Sequence, residues 1–187
     1  MNNRLTRRFC VLAAVSALSL VSGVLTLAAS VPARAAAASF PLRNYNNFSR
    51  CLGISGGRHD APAILWDCNG HPDQQWRFGV SVHYNGLTWY QLINSDNQCL
   101  GVLGSSISQG AKVVGWDCTG NTDQYWWEDT HFTICGGFHP FFNLNAVVKS
   151  NFYVFGVSGN KTSEDAPILL WEFQGIQRGC NNQEWAG

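Results

Sequence analysis

Beyond its first 35 residues, this sequence of 187 residues lacks any cluster of basic residues. The chain has 12 Lys and Arg residues against 12 Asp and Glu residues. Four of the basic residues (Arg4, Arg7, Arg8 and Arg34) and none of the acids precede residue 36, so residues 36–187 carry 8 basic and 12 acidic groups. With about four excess negative charges and no basic cluster, this segment cannot neutralise a phosphate backbone. Nucleic acids and anionic membrane surfaces are therefore not expected as partners.

Signatures of catalysis and of metal binding are also lacking. The sequence contains no G-x-S-x-G, H-E-x-x-H or phosphate-binding glycine loop, and its five His residues are scattered. Acidic pairs such as Glu128-Asp129 and Glu164-Asp165 are adjacent, so a strand would point them to opposite faces. No Cys-x-x-Cys pair occurs, and no His has ligand spacing from a Cys. We therefore expect no enzymatic activity, no metal and no cofactor.

The first 35 residues predict a signal peptide. A positive region at residues 4–8 precedes an apolar run from Phe9 to Leu27, and Ala33-Arg34-Ala35 offers an A-x-A cleavage site. A retained transmembrane anchor is the alternative, because the run is about long enough to span a bilayer. The many small residues in the run and the cleavage site favour removal. Arg7-Arg8 leaves the export route open, since the following residues depart from the twin-arginine motif. The mature chain is thus predicted to be extracellular, without membrane insertion.

Three copies of one unit follow a short N-terminal segment of residues 36–42. Each copy has a Cys-Leu-Gly-like strand, a strand ending in Trp-Asp-Cys or its equivalent, and a Gln-x-Trp motif. The final tryptophans are Trp76, Trp126 and Trp185, with spacings of 50 and 59 residues, so the third copy carries an insertion. We expect these three tryptophans to be core residues. The copies cover approximately residues 43–90, 91–138 and 139–187. Because such units bury too little apolar surface alone, we expect one domain over 43–187 with a shared core.

The local pattern of each copy is that of β-structure. Short runs of Val, Ile, Tyr, Phe and Trp are broken by Gly, Asn and Asp, without long helical periodicity. Segments 80–84 and 87–93 flank Asn85-Gly86, which is the strongest short signal for a hairpin. The sequence therefore predicts a closed, threefold, all-β body.

Six cysteines lie outside the leader, an even number that predicts three disulfides in an exported chain. The first copy has Cys51 and Cys68, and the second has Cys99 and Cys118. The third copy replaces both positions, with Val154 and Phe173. Joint loss is expected of a bonded pair, so we predict the bridges Cys51–Cys68 and Cys99–Cys118. Cys135 and Cys180 pair by elimination, with a free thiol at either position as the alternative.

Three Gln-x-Trp motifs in phase with two Cys…Trp-Asp-Cys frames resemble the ricin B-type lectin repeats. The resemblance covers nearly all of residues 36–187. It implies a β-trefoil of about twelve strands with pseudo-threefold symmetry. It also implies up to three shallow sugar pockets, one in each copy, and a glycan or polysaccharide as partner.

Carried over position by position, the resemblance gives nine candidate carbohydrate-binding residues. They comprise an aromatic platform and the two residues that begin the final motif in each copy. An aromatic ring can cover the apolar face of a pyranose while amides and carboxylates bind its hydroxyls. The candidates are Trp66, Asp73, Gln74, Trp116, Asp123, Gln124, Trp171, Asn182 and Gln183.

Two elements of the family's galactose-binding pattern are replaced in every copy. The Asp two positions after the first Cys is a glycine (Gly53, Gly101, Gly156), and the Gln before the platform Trp is aliphatic (Ile64, Val114, Leu169). We therefore expect pockets without the orienting carboxylate, and weak binding or binding mostly by stacking. Structural roles are the alternative for the final-motif glutamines, which can satisfy buried backbone groups, and for Asp67 and Asp117.

A secreted protein-binding trefoil, such as an inhibitor or a toxin-delivery subunit, is the second interpretation. Fold alone does not exclude it. The segment 126–142 is rich in aromatic residues outside the repeat pattern, and as an exposed patch it would favour a protein partner. Solvent-facing Trp66, Trp116 and Trp171 would instead favour a lectin.

Overall fold

The computed structural model describes residues 38–175 and 179–187. The predicted signal peptide, residues 1–35, lies outside the described residues. Thirteen strands are formed, close to the twelve expected. They are β1 Phe40–Pro41, β2 Arg43–Asn44, β3 Asn47–Ile54, β4 Ala63–Asp67, β5 Gln75–Tyr84, β6 Leu87–Asn94, β7 Cys99–Val102, β8 Ala111–Trp116, β9 Tyr125–Glu128, β10 His139–Asn143, β11 Tyr153–Val157, β12 Ala166–Glu172 and β13 Glu184–Ala186.

The strands repeat with threefold symmetry. Each copy contributes one antiparallel hairpin that carries its Cys-Leu-Gly and Trp segments, namely β3–β4, β7–β8 and β11–β12. Strand β12 also pairs with β4 and with β8, so the third hairpin joins the other two. The predicted turn at Asn85-Gly86 connects β5 to β6, with φ of 50° and 76° at its two residues. The all-β trefoil is therefore confirmed.

The core is built around the last Trp of each copy. Trp76, Trp126 and Trp185 are 0%, 1% and 0% exposed. Each indole Nε1 donates a hydrogen bond to a carbonyl on the first strand of its own hairpin, at Leu52, Leu100 and Phe155, over 2.9, 2.8 and 3.3 Å. Each tryptophan thus fills the core and also satisfies a buried backbone oxygen. The core role predicted for these three residues is confirmed.

Aromatic residues of segment 126–142 are mostly buried. Phe141 belongs to the central core, and Phe142 joins a second buried cluster with Trp89 and Val154. Phe132 is 7% exposed and packs edge-on against Phe173. Most of the segment's rings therefore pack in the interior and do not form the exposed patch that would favour a protein partner.

A short helix in the third copy was not predicted. Helix α1 spans Leu144–Val148 and begins at Asn143, whose side chain accepts a hydrogen bond from the Ala146 amide at 3.3 Å. An Asn at this position is a common N-cap, but five residues give too little periodicity to be recognised in the sequence. Within the described part of the chain, no helix is long and apolar enough to cross a membrane.

All three predicted disulfides are formed: Cys51–Cys68, Cys99–Cys118 and Cys135–Cys180. The first two close the repeated hairpins. The third joins two segments that are longer than their counterparts earlier in the chain. Trp126 to Trp171 spans 45 residues against 40 from Trp76 to Trp116, and Trp171 to Trp185 spans 14 against 10 from Trp116 to Trp126. This bridge therefore ties the inserted residues together.

Candidate functional site

Each copy carries one surface pocket, and strand alternation decides which side chains line it. On β4, Ala63 and Leu65 are fully buried and face the core, whereas Ile64 and Trp66 face outward and are half-buried. Successive side chains of a strand point to opposite faces, so the platform Trp and the aliphatic residue two positions before it share one face. The same relation holds for Trp116 with Val114 on β8. The three pockets have volumes of about 510, 320 and 470 Å³ in copies one, two and three.

The structure brings the predicted residues of each copy together. Trp66, Asp73 and Gln74 line the first pocket; Trp116, Asp123 and Gln124 line the second; and Trp171, Asn182 and Gln183 line the third. Trp66 and Trp116 are half-buried, and Trp171 is 40% exposed. All three tryptophans therefore present some ring surface to solvent. Sugar contact by these nine residues remains a prediction.

The final-motif glutamines hold the loops that shape the pockets. Gln124 is 2% exposed; its Nε2 donates to Asp117 O at 2.6 Å and its Oε1 accepts from the Thr119 amide at 2.9 Å. Gln74 makes the same two contacts, with Asp67 O at 2.9 Å and the Asn69 amide at 3.0 Å. Gln183 binds Glu172 O and the Gln174 amide. These bonds tie the end of each Trp strand to the final motif, which gives the glutamines a positioning role.

A carboxylate occupies two of the pockets, although the family's Asp is replaced by glycine. Asp73 Oδ2 accepts from the Ile54 amide at 3.1 Å, and Asp123 Oδ2 accepts from the Val102 amide at 3.2 Å. Each carboxylate therefore reaches the strand beside Gly53 or Gly101 from the final motif. The orienting Asp two positions after the first Cys is thus absent, and in the first and second copies the candidates Asp73 and Asp123 bring a carboxylate to the same place. In the third copy Asn182 takes this place, and its amide donates to Val157 O.

The glycines are required by these contacts. A Cβ added at Gly53 would lie 2.7 Å from Asp73 Oδ2 and 3.0 Å from Gln74 Cγ. At Gly101 the corresponding distances to Asp123 Oδ2 and Gln124 Cγ are 3.0 and 3.1 Å. The glycine therefore leaves the space that the carboxylate of the final motif occupies. The signal of this packing in the sequence is the joint occurrence of Cys-Leu-Gly and Asp-Gln-x-Trp.

Substituting Gly53 tests this arrangement. We expect Gly53→Ala to lower the free energy of unfolding by about 1–3 kcal/mol, because the added methyl group displaces Asp73 from the Ile54 amide. Urea unfolding followed by circular dichroism measures the change. Gly70→Ala is unsuitable as a control because its φ is +76°; Ser81→Ala, at an exposed strand position, is suitable. Equal stability of Gly53→Ala and Ser81→Ala would contradict the close packing.

The acid that follows each platform Trp is held by a neighbouring side chain. Asp67 pairs with Arg50 at 2.6 Å, Asp117 with His59 at 3.2 Å, and Glu172 accepts from Gln109 at 3.1 Å. The His59 ring also packs against Trp116, with 4.6 Å between centroids. His59 belongs to the first copy and Gln109 to the second, so neighbouring copies support two of the platforms. These contacts favour the structural interpretation of Asp67 and Asp117.

Burial raises the pKa of Asp73, and the nearby charge of Asp96 adds to this shift. Among the described residues there is no group of three His, Cys, Asp or Glu side chains that could hold a metal ion. The pockets therefore offer an aromatic surface with hydrogen-bonding groups around it. Such a surface can bind a small polar molecule with one apolar face.

The threefold arrangement of hairpins and pockets defines a β-trefoil. Residues 38–135 match the family model of the ricin-type beta-trefoil lectin domain. The chain belongs to this family. No curated protein sequence matches the chain significantly.

Several solved structures share the fold. The designed threefold-symmetric protein ThreeFoil superposes with a TM-score of 0.65 and 20% identity, covering 79% of this chain and 96% of ThreeFoil. The agglutinin of Rhizoctonia solani has a TM-score of 0.62 and 16% identity, with 83% and 96% covered. An exo-β-1,3-galactanase from Clostridium thermocellum has a TM-score of 0.66 and 22% identity, with 80% of this chain but only 29% of the galactanase covered. At these identities the likeness shows the fold alone.

Proposed function

We propose that the protein is a secreted carbohydrate-binding module that binds glycans weakly, by aromatic stacking in its repeat pockets, and catalyses no reaction. The observation that carries this proposal is the partly exposed Trp in every pocket. A pyranose has an apolar C–H face and a rim of hydroxyls, which suits an indole face surrounded by amides and backbone groups. Secretion is supported by the predicted leader and by the three disulfides, which are typical of oxidising compartments.

We expect weak binding because most polar side chains of the pockets are already hydrogen-bonded within the protein. Both oxygens of Asp123 are already bonded, Oδ2 to the Val102 amide and Oδ1 to the Ser105 hydroxyl. The glutamine side chains are bonded to backbone at both ends. Few free polar groups remain to fix a sugar's hydroxyls, so stacking supplies most of the affinity.

Binding to a glycan array and to insoluble polysaccharides tests the proposal. We expect saturable binding by the purified secreted protein, and a loss of about tenfold in affinity when Trp171 is changed to Ala, because this platform is the most exposed of the three. Trp66→Ala and Trp116→Ala would identify the other working pockets.

Phe152→Ala is the matched control, since Phe152 is an aromatic residue 65% exposed that lines none of the three pockets. Its glycan affinity should equal that of the unchanged protein. If the folded protein binds no glycan at millimolar concentration, or if Phe152→Ala and Trp171→Ala lose affinity equally, the proposal is wrong.

A protein-binding trefoil is the second candidate, and one exposed aromatic cluster favours it. Phe48 is 57% exposed and stacks on Phe138 with 5.1 Å between ring centroids. Tyr45 packs edge-on against both rings. Exposed aromatic groups are enriched in protein interfaces. A Phe48→Ala variant that loses a partner while keeping its glycan affinity would support this candidate.

A further inference from the structure

The first pocket differs from the other two in its charge. Three carboxylates line it, those of Asp73, Asp96 and Asp165. Of its described lining residues, His71 alone has a side chain able to carry positive charge. Among the described residues, Asp123 is the sole acid lining the second pocket, and no charged side chain lines the third. Three homologous pockets of one chain therefore offer different electrostatic environments to a ligand.

One sequence position explains why the carboxylates of Asp73 and Asp123 differ in their hydrogen bonding. Ser105 donates to Asp123 Oδ1 at 2.8 Å, so that in the second copy both carboxylate oxygens are bonded. The corresponding residue of the first copy is Gly57, which has no hydroxyl. Asp73 Oδ2 accepts from the Ile54 amide, but among the described residues no group donates to its Oδ1. One oxygen of Asp73 is thus left for a ligand.

The other two acids come from the neighbouring copies. Asp96 belongs to the second copy, and a Cβ at Gly57 would lie 3.2 Å from Asp96 Oδ2 and 4.0 Å from Asp73 Cβ, so both acids approach this glycine. Asp165 belongs to the third copy. In the other two copies the residue equivalent to Gly57 has an amide neighbour in place of Asp96: Asn145 donates to Ser105 O at 2.7 Å, and Asn46 donates to Asn160 Oδ1.

None of these three carboxylates has a basic partner within 4.0 Å among the described residues. Arg58 follows Gly57, but its side chain does not line the pocket. Asp73 is half-buried, and Asp96 and Asp165 are exposed. Like charges gathered around one pocket repel one another, and a cationic ligand relieves this repulsion.

We propose that the first pocket binds a sugar with a protonated amine, such as a glucosamine unit whose amine is free, with its ring on Trp66 and its ammonium group among Asp73, Asp96 and Asp165. This inference rests on the proposed carbohydrate-binding function and adds a ligand class for one of its three pockets. The pocket volume of about 510 Å³ is within the range of small-molecule sites. The second and third pockets are left for neutral sugars.

The test compares the trimer of glucosamine with the trimer of N-acetylglucosamine, which has the same ring but no charge. Isothermal titration at about pH 6 keeps the amine protonated. The protein carries Trp116→Ala and Trp171→Ala, so that only the first platform remains. We expect the glucosamine trimer to bind about tenfold more tightly than the acetylated trimer, and this preference to shrink in high salt.

Removal of the two acids from neighbouring copies should abolish the preference. In the same background, Asp96→Asn and Asp165→Asn should each weaken glucosamine binding about two- to fivefold and leave the acetylated trimer unchanged. Asn tolerates the positive φ of 58° at Asp165. Asp60→Asn is the matched control. Asp60 occupies in the first copy the position that Asp165 occupies in the third, with φ 64°, but it does not line the first pocket.

The outcomes separate this inference from the proposed function. Equal affinity for the two trimers, or equal effects of Asp60→Asn and Asp96→Asn, would overturn the inference even if neutral glycans still bind through the Trp platforms. Absence of all glycan binding by the unaltered folded protein would overturn the proposed function itself. A glucosamine preference that survives Trp66→Ala would also overturn the inference, since the charge would then act away from the pocket.

Discussion

Trp126→Ala is expected to lower the free energy of unfolding by about 3–5 kcal/mol. The indole is 1% exposed and packs edge-on against Phe155 with 5.1 Å between ring centroids. Its removal leaves a cavity in the shared core. It also removes the donor of the 2.8 Å bond to Leu100 O, which is then buried without a partner. Urea unfolding under oxidising conditions, followed by far-UV circular dichroism, measures the loss.

Two further variants separate the cost of the lost hydrogen bond from the cost of the lost buried volume. Trp126→Phe keeps most of the buried volume but not the donor, so its cost should be about 1–3 kcal/mol. Trp171→Ala removes an indole of equal size that is 40% exposed, and its effect on unfolding should be below about 1 kcal/mol. Equal losses for Trp126→Ala and Trp171→Ala would show that the repeat tryptophans do not divide into core and pocket residues.

That division was predictable from the sequence because it depends on the repeat. Three copies in phase give the trefoil, the buried final tryptophans and the two hairpin disulfides. The paired replacement of two cysteines by Val154 and Phe173 indicates, from the sequence alone, which cysteines of the other copies are bonded. Local patterns repeated three times are stronger evidence than one pattern alone, since each copy must meet the same packing requirements.

The composition of the pockets was only partly predictable, because it depends on contacts between segments far apart in the chain. Gly53 suggested a missing carboxylate, yet Asp73 fills the same space from 20 residues later. Asp96 and Asp165 lie outside the Cys-Leu-Gly, Trp-Asp-Cys and Gln-x-Trp segments, and they reach the first pocket only because neighbouring copies supply them. Strand alternation predicts the face of a side chain, but not which neighbouring copy supplies the residues opposite it.

The buried carboxylate of Glu184 should make stability depend on pH. The residue is 0% exposed; its Oε2 accepts from the Asn181 amide at 2.6 Å, and its Oε1 has no partner among the described residues. Burial raises the pKa of Glu184 from 4.5 to about 7. The folded state therefore holds its proton over a range in which the unfolded state has lost it. Stability is highest below about pH 4.5 as far as this group is concerned, and it falls as the pH rises through 7.

Glu184→Gln is expected to remove this pH dependence. The loss in the unchanged protein between about pH 4.5 and pH 8 should be on the order of 3 kcal/mol, and the neutral amide avoids it while its oxygen can still accept from Asn181. Unfolding free energies measured across this range give the comparison. Glu128→Gln is the matched control, because burial also raises the pKa of Glu128 but that residue is only half-buried and should keep most of the slope. If the slope survives in Glu184→Gln and disappears in Glu128→Gln, the uncompensated charge lies beside the β9–β10 pair and not beside the third final motif.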